Sequence, residues 1–264
     1  MNIDTVLQFT IDVTADAGKR IMGGFRNEAT SIEYKSRTNL VTSVDRESED
    51  FIFSTIQNKY PSHTIIAEEG SRQDAPGEYV WYIDPIDGTN NFAHGIPHFC
   101  VSVGLFSRED NSMVCGAVYN PCSEEMFSAR KGGGAYMGST PITVSTTDDL
   151  GISILATGFP YDKENSETNN LREFNMFLPK LQGIRRMGSA ALDLCYVACG
   201  RFDGYWEHSL SPWDIAAGAI IAMEAGATVT RYNGSPFDPE IPQLCVSNGL
   251  IHPRMLNILA SIHG

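Results

Sequence analysis

Two aspartates three residues apart, Asp84 and Asp87, follow the apolar run Trp81, Tyr82, Ile83 and precede Gly88 and Thr89. Pro85 lacks an N–H and disfavours a regular continuation, which suits a sharp exit from a strand. Gly88 can take backbone angles closed to other residues, and Thr89 is a good residue with which to begin a helix. The string W-Y-I-D-P-I-D-G-T-N-N-F therefore predicts a strand end where Asp84, the Ile86 carbonyl and Asp87 converge beside a helix start. Oxygen ligands gathered in this way suit a hard cation such as Mg²⁺. The free N–H groups of a helix start suit an anion. A metal beside a phosphate is the arrangement of phosphoryl chemistry. A turn followed by an Asx cap is the structural alternative, but no basic residue lies in the segment to balance two carboxylates at a sheet edge.

Three other acidic places stand out, each with a purely structural explanation beside the functional one. Glu68 and Glu69, in A-E-E-G, close a buried-looking strand before Gly70. Neighbours on a strand point to opposite faces, so one of the two would face a given site, and a solvated loop start also explains the pair. In S-P-W-D, Ser211 reads as a cap, Pro212 as the first helical residue and Asp214 as a first-turn acid, which is sound helix-start chemistry without any function. Asp45, just before the second predicted helix, has capping as its default role. Other catalytic templates fail. There is no G-x-x-x-x-G-K-[ST] loop, no H-E-x-x-H pair and no G-x-S-x-G elbow. The glycines of K-G-G-G-A-Y-M-G lack dinucleotide spacing and read as turns. Gly95 stands where an EF-hand opened by Asp84 would need its closing acid. The histidines are scattered, and the close pair His94 and His98 reads as incidental.

The elements that must position these residues change character along the chain. Helices are predicted at 3–25 and 44–58, the second with acids in its first turn as the helix dipole favours. Strands are predicted at 64–67, 79–83, 100–106, 113–119 and 125–130. Their short connections require mostly antiparallel pairing. After residue 145, strands at 152–157, 183–187, 203–207, 227–231 and 243–247 alternate with helices at 165–179, 189–199, 212–225 and 253–262. That alternation indicates an α/β arrangement with a parallel or mixed sheet. Two closely packed halves are expected, 1–145 and 146–264, with no repeat or low-complexity segment.

Composition narrows the function classes. With 42% hydrophobic residues the chain can bury a substantial core, which excludes disorder. Nineteen basic against 32 acidic residues give a net charge of −13. No Lys/Arg cluster offers a footprint for nucleic acid. An acidic protein that handles a phosphate needs a local positive charge, for which a divalent metal is the economical source. The six cysteines form no C-x-x-C pair, and Cys195 and Cys199 read as buried thiols one helical turn apart. A reduced, cytoplasmic protein is therefore expected. The amino terminus has no signal-peptide pattern, and no apolar run has membrane-spanning length.

At this point the chain resembles the inositol monophosphatase family, Mg²⁺-dependent and lithium-sensitive phosphomonoesterases, in its bacterial form. A-E-E-G, W-Y-I-D-P-I-D-G-T-N-N-F-A-H-G-I-P and W-D-I-A-A-G-A-I-I-A-M-E-A-G align in the family's order. R-R-M-G-S-A-A-L-D-L-C-Y-V-A-C-G-R-F-D-G-Y-W-E and Y-K-S-R-T-N-L-V-T-S-V-D match as well, and together the blocks span most of 33–236. The resemblance implies a layered α-β-α-β-α sandwich (α+β in the first half, α/β in the second), usually as a homodimer. It implies roughly two or three Mg²⁺ ions per subunit, with Mn²⁺ as a substitute, held by Glu68, Asp84, the Ile86 carbonyl, Asp87 and Asp214. Glu69 would support them and Asp45 would act through water. Gly88 and Thr89 would hold the phosphate through backbone N–H groups. Gly188, Ser189, Ala190 and Glu207 would meet the hydroxyl-bearing part of the substrate, with Lys35 near the entrance. Arg185 or Arg186 would border that pocket or a subunit contact.

The implied reaction is hydrolysis of a small polyol phosphate, with myo-inositol 1-phosphate as the first expectation. A metal-activated water would attack directly, with Glu68 and Thr89, oriented by Asp45, taking its proton. Fructose 1,6-bisphosphate, histidinol phosphate, 3′-phosphoadenosine 5′-phosphate and NADP are alternative substrates within the superfamily. A mainly regulatory, metal-dependent binding protein is the non-enzymatic alternative. The haloacid dehalogenase phosphatases carry a similar string with a covalent Asp nucleophile, but their spacing is D-x-D-G-T and here it is D-x-x-D-G-T.

Overall fold

The computed structural model describes residues 1–27, 30–34, 40–164, 166 and 168–263. The chain runs α1 (Ile3–Gly24), β1 (Ile32–Tyr34), β2 (Leu40–Thr42), α2 (Ser43–Lys59), β3 (Thr64–Ala67), β4 (Arg72–Gln73), β5 (Tyr79–Asp87), α3 (Thr89–Ala93), β6 (Cys100–Ser107), β7 (Ser112–Asn120), β8 (Glu125–Arg130), β9 (Ala135–Met137) and β10 (Thr140–Ile142). It continues through β11 (Ile154–Thr157), α4 (Leu171–Phe177), β12 (Gly183–Arg185), α5 (Ala190–Ala198), β13 (Gly204–His208), α6 (Pro212–Glu224), β14 (Thr228–Thr230), β15 (Gln243–Ser247) and α7 (His252–His263).

Among the described residues an eight-stranded sheet has the order β10-β9-β8-β7-β6-β5-β3-β4 and a five-stranded sheet the order β12-β11-β13-β15-β14. The first is antiparallel except between β3 and β5. The second is mixed: β12, β11 and β13 are parallel, while β15 pairs antiparallel with β13 and β14. Helices α1 and α2 cover the outer face of the large sheet, and α5 and α6 fill the space between the sheets. Helices α4 and α7 pack together, with α7 against β15 on the remaining face. The result is the layered α-β-α-β-α sandwich.

Strand alternation sorts the side chains of β5 between two cores. Trp81 and Ile83 join α1 and α2 in one cluster, whereas Val80 and Tyr82 join α5, α6 and the second sheet in another. Asp84 shares its alternation with Val80 and Tyr82, so its face of the sheet is the interior one. Helix α6 can lie close to that face because the cross-strand partners Gly104 and Gly116 have no side chains. A Cβ at Gly116 would stand 2.8 Å from the Ala217 Cα, and one at Gly104 3.0 Å from the Ala217 nitrogen. Gly116→Val is therefore expected to destabilise the fold by about 2–3 kcal/mol, read as a lower urea midpoint. A wild-type midpoint would show that α6 is not seated by this gap.

Two expectations need correction. The strand expected at 79–83 continues to Asp87, and the helix expected at 165–179 is reduced to α4. Asn170 makes that helix start late, as the residue that caps α4. It sits in the left-handed region at φ 63° and is buried, with Nδ2 donating to the Thr157 hydroxyl at 2.7 Å and to the Gly158 carbonyl. Trp206 Nε1 donates to its Oδ1 at 2.8 Å. These tertiary bonds outweigh the helix periodicity read from the sequence.

Candidate active site

In an even strand, residues three apart face opposite sides. Asp84 pairs with Ser102 and Asp87 with Cys100, so β5 spends one residue more than β6 between these pairs. That bulge lets Asp87 join Asp84 on the interior side, while Ile86 between them packs into the opposite core. Ile86 N donates to Asp84 Oδ1 at 3.0 Å, which braces the first carboxylate within the bulge. Asp87 Oδ2 receives the Ser189 hydroxyl and the Ala191 N–H, both at 2.7 Å. Asp87 thus ties the strand to the start of α5 in the second half of the chain.

Gly88 follows at φ 101° as the cap of α3 and offers no side-chain bond to the helix start. A Cβ there would stand 3.1 Å from the His98 carbonyl and 3.2 Å from that of Gly188, so the position needs glycine. The Thr89 hydroxyl lies 3.0 Å from both Asp45 Oδ1 and the Ile86 carbonyl. Asp45 is also the first-turn acid of α2, where it forms a capping box with Thr42. It is wholly buried behind Thr89 and does not line the cleft. Burial pushes its carboxyl up to about 6, partly offset by the Thr42 and Thr89 bonds.

Glu68 leaves β3 into a turn. Glu49 of α2, which carried no signal as a site residue, shapes that turn: its carboxylate accepts the Glu69 N–H at 2.7 Å and the Ser71 N–H at 2.8 Å. Glu68 lines the cleft, whereas Glu69 does not. Asp214 arrives from the far side on the first turn of α6, where its Oδ2 accepts the Ser211 N–H at 2.7 Å. Its capping role is real, and it lines the cleft as well.

Glu68, Asp84, Asp87 and Asp214 therefore share one cleft of about 380 Å³ with Ile86, Gly88 and Thr89. Asp84 is driven well above the carboxylate range by burial, then by Glu68, Asp87 and Asp214. Asp214 is driven upward by burial, Glu68 and Asp87, and Asp87 is raised by burial to about 6. The bonds made to Asp84, Asp87 and Asp214 come from backbone N–H groups, Glu68, Ser189 and Cys100, with no basic side chain among the described residues. Buried like charges without a counter-charge are costly, and a hard divalent cation is the group this oxygen set fits. Among the described residues no three acidic, histidine or cysteine side chains close around a single point.

The opposite wall holds Gly188, Ser189, Ala190, Glu207 and, unforeseen in the sequence, Asp193, Tyr161 and the Thr157–Pro160 segment. Glu207 is raised by burial to about 7 and accepts the Tyr205 hydroxyl. Of the two arginines left open above, Arg186 lines the cleft, while Arg185 is exposed on β12 with its guanidinium donating to the Ile184 carbonyl. Asn91 Nδ2 bridges the His98 and Met187 carbonyls at 2.7 and 2.8 Å, which fixes α3 against the segment before Gly188. Lys35 lies outside the described residues. His98 packs against Tyr196 and takes no part in the cleft.

The Inositol monophosphatase family model matches residues 2–263. An inositol-1-monophosphatase from Synechocystis sp. is 42% identical over 262 residues, 98% of this chain and 90% of the other. A Vibrio cholerae protein named Nus factor SuhB is 42% identical over 231 residues, 87% of this chain and 86% of its own. The structure of an inositol monophosphatase from Anabaena (Nostoc) sp. superposes with a TM-score of 0.89 at 38% identity, covering 99% of this chain and 97% of the other. With the family model matching nearly its full length, this chain belongs to the inositol monophosphatase family and is a metal-dependent phosphomonoesterase.

Proposed function

We propose that the protein hydrolyses the phosphate monoester of a small polyol, with myo-inositol 1-phosphate as the leading substrate, and uses Mg²⁺ to do so. The observation that carries this reading is the meeting, in one cleft, of four acidic residues, a helix start with no side-chain cap and a half-buried Glu207. Glu68, Asp84, the Ile86 carbonyl, Asp87 and Asp214 hold the metal, roughly two or three ions. Carboxylate and carbonyl oxygens suit Mg²⁺, which takes one or two carboxylates and completes its shell with water and phosphate oxygens. When bound, the metal neutralises the phosphate and makes water acidic enough to attack.

The chain's own residues do the rest. Gly88 and Thr89 receive the phosphate on backbone N–H groups. Glu68 and the Thr89 hydroxyl take the proton of the attacking water, and Asp45, fixed by Thr42, directs that hydroxyl. Gly188, Ser189, Ala190 and Glu207 border the alcohol that leaves. Thr89→Val keeps the volume and removes the hydroxyl. It is expected to lower kcat about a hundredfold with little change in KM, measured as phosphate release at saturating Mg²⁺. A wild-type kcat would remove Thr89 from the proton path.

The deciding experiment measures phosphate release from inositol 1-phosphate, fructose 1,6-bisphosphate, histidinol phosphate, NADP and 3′-phosphoadenosine 5′-phosphate, with Mg²⁺, Mn²⁺ or chelator. Fastest turnover on the inositol ester, lost with chelator and reduced by lithium, is the expected pattern. No metal-dependent release on any of the panel would favour the second reading, a regulatory binding role. That reading draws on the 42% identity to the protein named Nus factor SuhB.

A homodimer in the cytoplasm completes the proposal. The apolar residues Leu171, Met176 and Leu178, 41–48% exposed on α4 and the turn after it, support a subunit contact there. Leu178→Glu is expected to shift the sedimenting species from dimer to monomer. A monomeric wild-type protein would dispose of the contact.

A further inference from the structure

Asn170 caps α4, yet its side chain makes no bond to the helix start. An asparagine in that position ordinarily accepts a backbone N–H of the first turn. Here the amide is turned inward, 1% exposed, and its bonds go to two strands of the second sheet. Nδ2 donates to the Thr157 hydroxyl at 2.7 Å and to the Gly158 carbonyl, at and just beyond the end of β11. Oδ1 accepts Trp206 Nε1 of β13 at 2.8 Å. The backbone holds a left-handed conformation, φ 63°, to make these bonds. A residue other than glycine persists there only where its surroundings over-determine it, and such places cluster where function needs fixed geometry.

What these bonds fix is one wall of the cleft. Residues Thr157 to Tyr161 all line it, with Phe159 half-buried and Tyr161 46% exposed, so a bound molecule can reach the segment. Thr157 closes the network by donating its hydroxyl to the Trp206 carbonyl at 2.6 Å. The next residue on β13 is Glu207, and Gly158 lies so close to its carboxylate that a Cβ would overlap both oxygens. Phe174 of α4 meets Phe159 with ring centroids 5.7 Å apart, so α4 holds the segment at a second point. The acids of the metal site stand apart from this network, on β5, α6 and the turn after β3, and none of the three Asn170 bonds goes to them.

We propose that Asn170 is a positioning residue for substrate selection: it locks the Thr157–Tyr161 segment to β13 and so sets the width of the cleft on the side of the leaving alcohol. Asn170 touches no substrate itself and acts through the segment it holds. This rests on the polyol phosphatase reading above and adds to it the residue that shapes the alcohol pocket.

The test compares inositol 1-phosphate with ethyl phosphate, which keeps the reacting group on an alcohol too small to fill the pocket. Asn170→Gly removes all three side-chain bonds and keeps the backbone, because glycine takes a positive φ readily. It is expected to melt cooperatively at a lower temperature, since Trp206 Nε1 loses its acceptor. KM for the inositol ester should rise about 10- to 30-fold with kcat within about threefold, while kcat/KM for ethyl phosphate changes less than about threefold. Mg²⁺ affinity, measured by calorimetry, should stay at the wild-type value. A merely structural role would lower turnover of both esters and Mg²⁺ affinity together, and that result, or an unchanged KM for the inositol ester, would overturn the proposal. Gly158→Ala carries the same test from the cleft side with the Asn170 side chain intact. It is expected to raise KM for the inositol ester by a similar factor at unchanged Mg²⁺ affinity, and a wild-type KM would again overturn the proposal. The wild-type enzyme is measured first: failure to prefer the inositol ester over ethyl phosphate would overturn the polyol reading, and the proposal with it, before any substitution is made.

Discussion

Replacing Asp84 by Asn is expected to lower Mg²⁺-dependent phosphate release by about a thousandfold while the protein keeps its fold. Asp84 sits where burial, Glu68, Asp87 and Asp214 all act against its ionised form. The amide has nearly the same volume and can still accept the Ile86 N–H, so little packing is disturbed. It cannot supply the charge that holds a divalent cation. Charge stabilisation by bound metal is worth several kcal/mol in the transition state, which corresponds to about a thousandfold in rate. The same change removes one repelling charge, so the metal-free variant should melt at or above the wild-type temperature. Mg²⁺ should raise the melting temperature of the wild type, because a ligand bound only by the folded state stabilises it, and should raise that of the variant far less. Near-normal turnover at saturating Mg²⁺ would remove Asp84 from the metal site. Trapping a phosphoaspartate would replace direct attack by a covalent mechanism.

The second large effect is on pH. Asp87 is raised to about 6, and Asp84 and Asp214 lie well above the carboxylate range in the metal-free fold. A carboxyl whose folded pKa is raised binds more protons folded than unfolded, so its contribution falls as pH rises from about 4 through the folded value. Metal-free protein is therefore expected to lose stability between about pH 4 and pH 6, and further above that through Asp84 and Asp214. Metal binding has the opposite slope, because it needs the deprotonated forms. Mg²⁺ affinity, followed by calorimetry, should rise up to about tenfold per pH unit for each proton displaced. The stabilisation by Mg²⁺ should accordingly be larger at pH 8 than at pH 5. A pH-independent affinity over that range would mean that the carboxylates are already ionised and that another cation balances them.

Several residues of the site were readable only in part from the sequence. Asp45 and Asp214 were legible as helix-start acids, and both do cap; nothing local tells that one stands behind Thr89 and the other enters the cleft. The A-E-E-G string alone fits a loop start as well as a site, because the carboxylate that shapes the turn, Glu49, lies on another element. Asp193 was hidden among the apolar residues of α5, where a single acid looks like an ordinary first-turn charge. The helix expected from 165 failed because the Asn170 side chain answers to Thr157, Gly158 and Trp206, contacts that no window of neighbouring residues contains.

The sequence by itself determined the chemistry: two aspartates around a proline, then Gly-Thr, make an oxygen-rich strand end beside a helix start, since these are matters of residue type and near spacing. Element pattern also indicated a largely antiparallel first half and an α/β second half, while the α-β-α-β-α layering came from the family resemblance. Only the tertiary structure decided how the carboxylates meet. The bulge between Asp84 and Asp87 turns both to one side, and the side-chain-free gap at Gly104 and Gly116 seats α6 so that Asp214 faces them. Convergence of that kind depends on register and on the distance between packed elements. Both are set by contacts between residues far apart in the chain.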